Sequence, residues 1–180
     1  MAFNVSEFIN NLEQGGARSS LFQVQINNPV DASADLKVPF MVRAASMPGS
    51  SIGFQELPYF GRTIKVAGQR RYDDWAVTVI NDEDFKVRHA MENWINALNS
   101  HEDNLRSGAF VDPSSYKVDA TITQFGKAGD KLRTYKYRGL FPVDISLIGL
   151  DWGQTDVIEE FNVTFKYDFY TVEGATGEVS

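Results

Sequence analysis

The chain has 180 residues, a formal net charge of −7 and 43% hydrophobic residues, which suits one globular domain with a sizeable core and excludes a disordered or fibrous chain. It has no cysteine, so disulfide frameworks and thiolate metal sites are excluded. No run approaches the ~18 apolar residues of a membrane-spanning helix, and no basic segment followed by an apolar run opens the chain, so a soluble protein without a secretory signal is expected.

In chain order, Val5, Phe8, Ile9 and Leu12 fall on one stripe of a short helix that Gly15-Gly16 would end. Phe22, Val24 and Ile26 alternate with Gln23, Gln25 and Asn27, the pattern of a half-buried strand. Asn28 to Asp35 reads as a polar loop, and Val38 to Ala45 as a second strand with Pro39 at an edge. After the break at Met47-Pro48-Gly49, residues 52–67 form an extended hairpin. Its apolar residues, Ile52, Phe54, Leu57, Ile64 and Val66, need support from elsewhere, because an isolated hairpin is marginal in water. Trp75, Val77 and Val79 mark the next strand.

A helix follows over residues 84–100. Asn81 to Asp84 supply capping side chains. Val87, Met91, Trp94, Ile95 and Leu98 form its apolar face, opposite Lys86, His89, Asn93, Asn96 and Ser100. Beyond a loop at residues 101–115, strands are expected at 117–125, 132–138 and 145–150. A last strand runs over 161–170, where Phe161, Val163, Phe165, Tyr167 and Phe169 alternate with polar residues. The expected fold is mainly β, an antiparallel sandwich or barrel flanked by one amphipathic helix and a short N-terminal helix. The expected core includes Trp75, Met91, Trp94, Trp152, Phe161 and Phe165. One domain is expected over residues 1–180: an N-terminal helix or arm (1–16), a core (17–170) and a flexible tail (171–180).

Charge is unevenly placed. Residues 140–180 hold eight acids and one base, whereas residues 1–139 hold 16 of each. The bland interpretation is a solvated acidic end; the sharper one places some of these acids where they repel a passing polyanion. No Gly-x-Ser-x-Gly elbow, phosphate-binding loop or His-Glu-x-x-His helix is present. His89 and His101 lack a carboxylate-rich companion set, and Asn81-Asp82-Glu83-Asp84 lacks the alternation of a calcium loop. No enzymatic activity, metal or cofactor is expected. Arg133 to Arg138 interleaves bases with aromatics, as single-strand nucleic-acid binders do, but strand geometry sends Arg133 to one face and Lys136 and Arg138 to the other.

Residues 57–83 carry the most informative pattern, with Arg62-Thr63-Ile64-Lys65-Val66-Ala67-Gly68, Tyr72-Asp73-Asp74-Trp75 and Val77-Thr78-Val79-Ile80-Asn81-Asp82-Glu83 in order. This motif closely resembles the signature segment of the tail tube proteins of contractile-tailed bacteriophages. Leu21-Phe22-Gln23-Val24, Gly139-Leu140-Phe141-Pro142 and Leu150-Asp151-Trp152 resemble further elements of that family, in the same order. The resemblance implies a structural virion protein assembled in the host cytoplasm. Hexameric rings stack into the inner tail tube, the conduit for DNA ejection, and their inner strands join into one barrel. Its partners would be other copies of the chain, the tail sheath protein, baseplate, tail terminator, tape-measure protein and the phage DNA passing through without specific binding. The tube protein of a type VI-like secretion or contractile injection system is the alternative, and a nucleic-acid-binding barrel a more distant one. Within this frame Arg62, Lys65, Arg70, Arg71, Asp73 and Asp74 are expected at subunit contacts, and Lys86, His89, Asn93 and Asn96 on the sheath-facing side.

Overall fold

The computed structural model describes residues 5–12 and 16–174. In chain order its helices and strands are α1 (Val5–Asn11), β1 (Phe22–Ile26), α2 (Val38–Met41), β2 (Val42–Ala45), β3 (Ser50–Tyr59), β4 (Arg62–Tyr72), β5 (Trp75–Ile80), α3 (Lys86–Leu98), α4 (Pro113–Tyr116), β6 (Val118–Phe125), β7 (Lys131–Ile145), β8 (Glu160–Lys166) and β9 (Phe169–Gly174). Every strand pairing is antiparallel. Seven strands form one sheet in the order β1-β6-β7-β8-β5-β2, with β9 also on β7, while β3 and β4 pair only with each other.

The long β7 belongs to two ladders, Arg133–Arg138 with β9 and Phe141–Ile145 with β8. Gly139 marks the changeover at φ +67, and a Cβ there would lie 2.2 Å from Asp168 Oδ2. The positive φ favours glycine, and any side chain there would also have to displace the Asp168 carboxylate. The sheet therefore folds over on itself, bringing β1-β6-β7-β9 and β2-β5-β8 around one core. Alternation supplies that core: Val24 and Ile26, Ala120 and Ile122, Trp75, Val77 and Val79, and Phe161, Val163 and Phe165 are all buried. Helix α3 adds Val87, Ala90, Met91 and Trp94, with the Trp94 ring 6.4 Å from Phe165.

Several elements depart from the sequence expectation. Val38–Met41 is a helical turn, and only Val42–Ala45 is strand. Pro39 serves the first turn of α2, where its missing N–H leaves no bond unmade. The strand expected at 145–150 is absent: β7 absorbs Gly139–Pro142 and ends at Ile145. The alternation through Phe161–Tyr170 is split by a bend at Tyr167-Asp168, where Asp168 N donates to Arg138 O at 2.9 Å, and Phe169 is exposed. Thr171–Gly174, assigned from sequence to a tail, belongs to β9; residues 175–180 lie outside the described residues. Helix α3 starts two residues after Asp84, because Phe85 takes the left-handed conformation at φ 52, although Asp84 Oδ1 still accepts from Lys86 N at 3.2 Å. The polar loop after β1 is anchored by Asn28, buried, whose Nδ2 donates to Ala90 O at 2.8 Å. The N-terminal stripe exists as α1, with Val5, Phe8, Ile9 and Leu12 all exposed; Gly15 lies outside the described residues.

Candidate assembly surfaces

The β3–β4 hairpin extends from Ser50 to Tyr72, longer than the 52–67 expected. Its turn is Phe60-Gly61 with φ 42 and 78, the two positive values of a two-residue hairpin turn that matches strand twist. Gly68 and Gln69 together oppose Gly53 in a bulge, where a Cβ on Gly68 would meet Gly53 O at 3.1 Å. Residues directly opposite share a face. One face thus carries Leu57, Tyr59, Ile64 and Val66 with Arg62 and Arg71; the other carries Ile52, Phe54 and Pro58 with Lys65 and Arg70. None of these side chains is buried. A ladder this long with no core on either face leaves a contiguous set of apolar side chains exposed, the kind of patch that marks interaction sites.

The hairpin's root is rigid. Trp75 Nε1 and the Tyr137 hydroxyl both donate to Ser46 O, at 2.8 and 3.2 Å, and the two rings stack 4.2 Å apart. Tyr72, at the end of β4, packs on Tyr167 and Tyr170 with centroids 5.8 and 5.6 Å apart. Burial raises the phenol of Tyr137 and pushes Tyr167 up to about 12, so this aromatic collar stays neutral. Beside it an open cleft of about 460 Å³ is lined by Arg70, Tyr72, Arg133, Tyr135 and Tyr170, among others.

The four-stranded part of the sheet, β1-β6-β7-β9, has a second surface. Strands β1 and β9 stand at its two sides, each with a single partner strand. Its inward residues join the core; outward, Gln23 and Gln25 stand opposite Thr123 and Thr121. Thr123 and Thr134 hydroxyls touch at 3.2 Å, and Lys136 is paired with Glu173 across to β9. At one end Arg138 pairs with Asp119.

Residues 4–173 match the family described as phage tail tube protein. The chain belongs to the phage tail tube protein family. Tail tube protein gp19 of Enterobacteria phage T4 is 29% identical over 155 residues, covering 86% of this chain and 90% of that one. The tail tube protein of Serratia phage KSP90 is 26% identical over 168 residues, covering 91% and 93%. Among solved structures, a chain of the sheath-tube complex of an extracellular contractile injection system, in the extended state, superposes with TM-score 0.64 at 16% identity, covering 97% of this chain and 100% of that one. A chain of the anti-feeding prophage baseplate gives 0.66 at 12%, covering 89% and 97%. These two likenesses establish the fold.

On this tail tube fold the residues singled out from sequence are distributed as follows. Arg62, Arg70, Arg71 and Asp73 are exposed along or beside the hairpin, without an ion-pair partner among the described residues. Lys65 lies 3.7 Å from Glu56 and 5.2 Å above the Phe54 ring, and Asp74 is held internally by Lys166 Nζ at 2.5 Å. Lys86, His89 and Asn96 are exposed on one face of α3, and Asn93 is half-buried. Asn96 also accepts from His101 N at 3.2 Å, closing the turn after the helix. Trp75, Met91, Trp94, Phe161 and Phe165 are buried, but Trp152, expected in the core, is fully exposed. It stands on the acidic loop between β7 and β8, where Asp151 accepts from Gly153 N at 2.9 Å. Leu147, Leu150, Val157 and Ile158 are exposed with it, whereas Ile148 of the same loop packs against the core. Near α3, Lys37 bonds Asp82 and Asp84 at 2.6 and 2.5 Å; chiefly through this bond the Asp84 carboxyl is held at about 2. Among the described residues no group of three or more His, Asp or Glu is placed to hold a metal. Sequence reasoning missed the aromatic collar and the Lys136–Glu173 and Arg138–Asp119 pairs, because both are made by residues more than ten positions apart.

Proposed function

We propose that the chain polymerises as stacked hexameric rings into the inner tube of a contractile phage tail, the conduit for DNA ejection. The observation that carries this reading is the four-stranded part of the sheet, with a core-facing side, a polar side, and single-partner strands β1 and β9 at its two ends. Repetition of the subunit lets β9 of one copy add to β1 of the next, which removes both edges and closes the strands into one barrel. Family membership and the phage tail tube relatives favour the phage tail over a secretion-system tube.

The hairpin then supplies contacts between copies through Arg62, Lys65, Arg70 and Arg71, with Asp73 and Asp74 at its root. Its exposed apolar residues become interface core, and the charges set register and partner choice. Helix α3 turns Lys86, His89, Asn93 and Asn96 toward the sheath, a polar face that repeats at every subunit and so binds collectively while each contact stays weak. The baseplate and terminator contact the ends of the polymer, the tape-measure protein occupies the channel during assembly, and assembly takes place in the host cytoplasm.

Negative-stain electron microscopy of purified protein, alone and seeded by a baseplate, tests the reading: rings or tubes are expected. Monomer alone by sedimentation at high concentration, with no polymer after seeding, sinks it. Asp73→Lys blocks assembly while leaving the subunit folded; normal tubes from that variant remove the hairpin root from the interface. Replacing Lys86, His89, Asn93 and Asn96 by glutamate leaves bare tubes intact and prevents sheath assembly around them.

A further inference from the structure

Where β7 lies between β6 and β9, over Arg133–Arg138, the outward cations are Lys136 and Arg138, and both are taken; Lys131, opposite Phe125 at the start of β7, stands outside this stretch without an ion pair among the described residues. Lys136 is paired with Glu173 from β9 on one side, and Arg138 with Asp119 from β6 on the other. Around them the outward positions are uncharged: Thr121 stands opposite Lys136 and Thr123 opposite Thr134. The pairing is local. On the hairpin, Arg62, Arg70 and Arg71 have no acid partner among the described residues. Exposed ion pairs contribute only about 0–1 kcal/mol each, so stability is a weak reason for placing an acid on each side of β7.

We propose that this surface is the wall of the tube's channel and that it is charge-silenced: Glu173 and Asp119 neutralise Lys136 and Arg138, leaving a travelling polyanion hydroxyls and amides to pass. The proposal rests on the tube reading and assigns the face and residues that meet the cargo. A DNA duplex carries one charge per about 1.7 Å, and every free Lys or Arg it meets releases counterions and adds affinity. Two free cations per subunit, repeated around each ring and along the stack, would act together and hold the DNA in place. Pairing each cation with a neighbouring strand's acid keeps the wall neutral without giving up the long side chains that cover the sheet. The acids of the C-terminal quarter contribute Glu173 to this face, in a pair, so repulsion by a free acidic lining is not the mechanism.

The test uses assembled tubes and a short fluorescent DNA duplex, co-sedimented at roughly 50 and 200 mM salt. Wild-type tubes leave the duplex in the supernatant at both. Tubes of Asp119→Ala/Glu173→Ala retain it at the lower salt. For each subunit that engages the duplex through both cations, the two phosphate contacts imply about a tenfold loss of affinity between the two salts. Adding Lys136→Gln and Arg138→Gln to that variant abolishes retention. If the double variant does not polymerise, Glu173→Gln alone carries the comparison. Wild-type tubes that already retain the duplex, or variant tubes that gain nothing, overturn the proposal while leaving the tube reading intact. Absence of tubes from the wild-type chain counts against the tube reading, and the channel wall falls with it.

Discussion

Two antiparallel strand pairs of this molecule look alike in sequence and differ completely in surroundings. In β5–β8, Trp75 faces Phe165, Val77 faces Val163 and Val79 faces Phe161, and all six are buried. In β3–β4, Leu57 faces Ile64 and Gln55 faces Val66, and all are exposed. The pairing chemistry is the same, but helix α3 and the folded-over sheet cover the first pair, and nothing among the described residues covers the second. Apolar alternation therefore does not report by itself that a strand is covered within its own subunit.

The sharpest way to separate the two regions is through stability. Trp94→Ala, which empties the space beneath α3, should cost about 3–5 kcal/mol in denaturant unfolding of the subunit. Trp94→Phe should cost much less, since the indole N–H is buried without a hydrogen-bond partner in this structure; an equal loss would mean that the N–H is satisfied in solution. Next comes the joint between the regions. Tyr137→Phe removes one of the two donors to Ser46 O, and with Trp75 Nε1 still bonded at 2.8 Å the cost should stay near 0.5–1 kcal/mol.

On the hairpin the comparison inverts. Ile64→Ser should change subunit stability by no more than about 0.5 kcal/mol while abolishing tubes in the electron microscope. A large loss of stability there would show that the hairpin is covered within its own subunit. Trp152→Ala should likewise leave unfolding unchanged, because the ring touches no core. The smallest effect expected is pH-dependent. Lys37 chiefly, with the Lys86 backbone N–H, lowers the folded Asp84 value from 3.8 to about 2, so the stabilising contribution is full above the unfolded value and disappears as pH falls through the folded one. Lys37→Met should thus differ from wild type above about pH 4 and converge with it toward pH 2. A difference that persists well below pH 2, where Asp84 is protonated in the folded state too, would assign Lys37 some role other than its ion pairs.

Much of the geometry of the candidate assembly surface was legible because short-range chemistry writes it directly. Gly61 and Gly68 mark the turn and bulge of the hairpin, and the 3.6-residue spacing of Val87, Met91 and Trp94 sets α3's buried face and hence its outer one. Asp74 was less legible: a carboxylate in a charged turn invites a partner on another subunit, yet Lys166, 92 positions away, lies within 2.5 Å. Trp152 misled for a related reason. A tryptophan two positions after Leu150 signals burial by hydrophobicity alone, and only the path of the loop shows that its own subunit leaves it in solvent.

By itself the sequence determined the β-rich class, the helix with its two faces, the long hairpin with its apolar residues, and the family motif at residues 57–83. These are local matters, settled by periodicity, glycine placement and side-chain volume over a few neighbouring positions. Tertiary structure alone decided how β7 divides between β9 and β8 at Gly139, which side of the sheet carries paired charges, and where the hairpin is pinned. Each of these depends on which distant strands lie side by side. That choice is made by the shape of the common core, and the pattern along any one strand does not contain it.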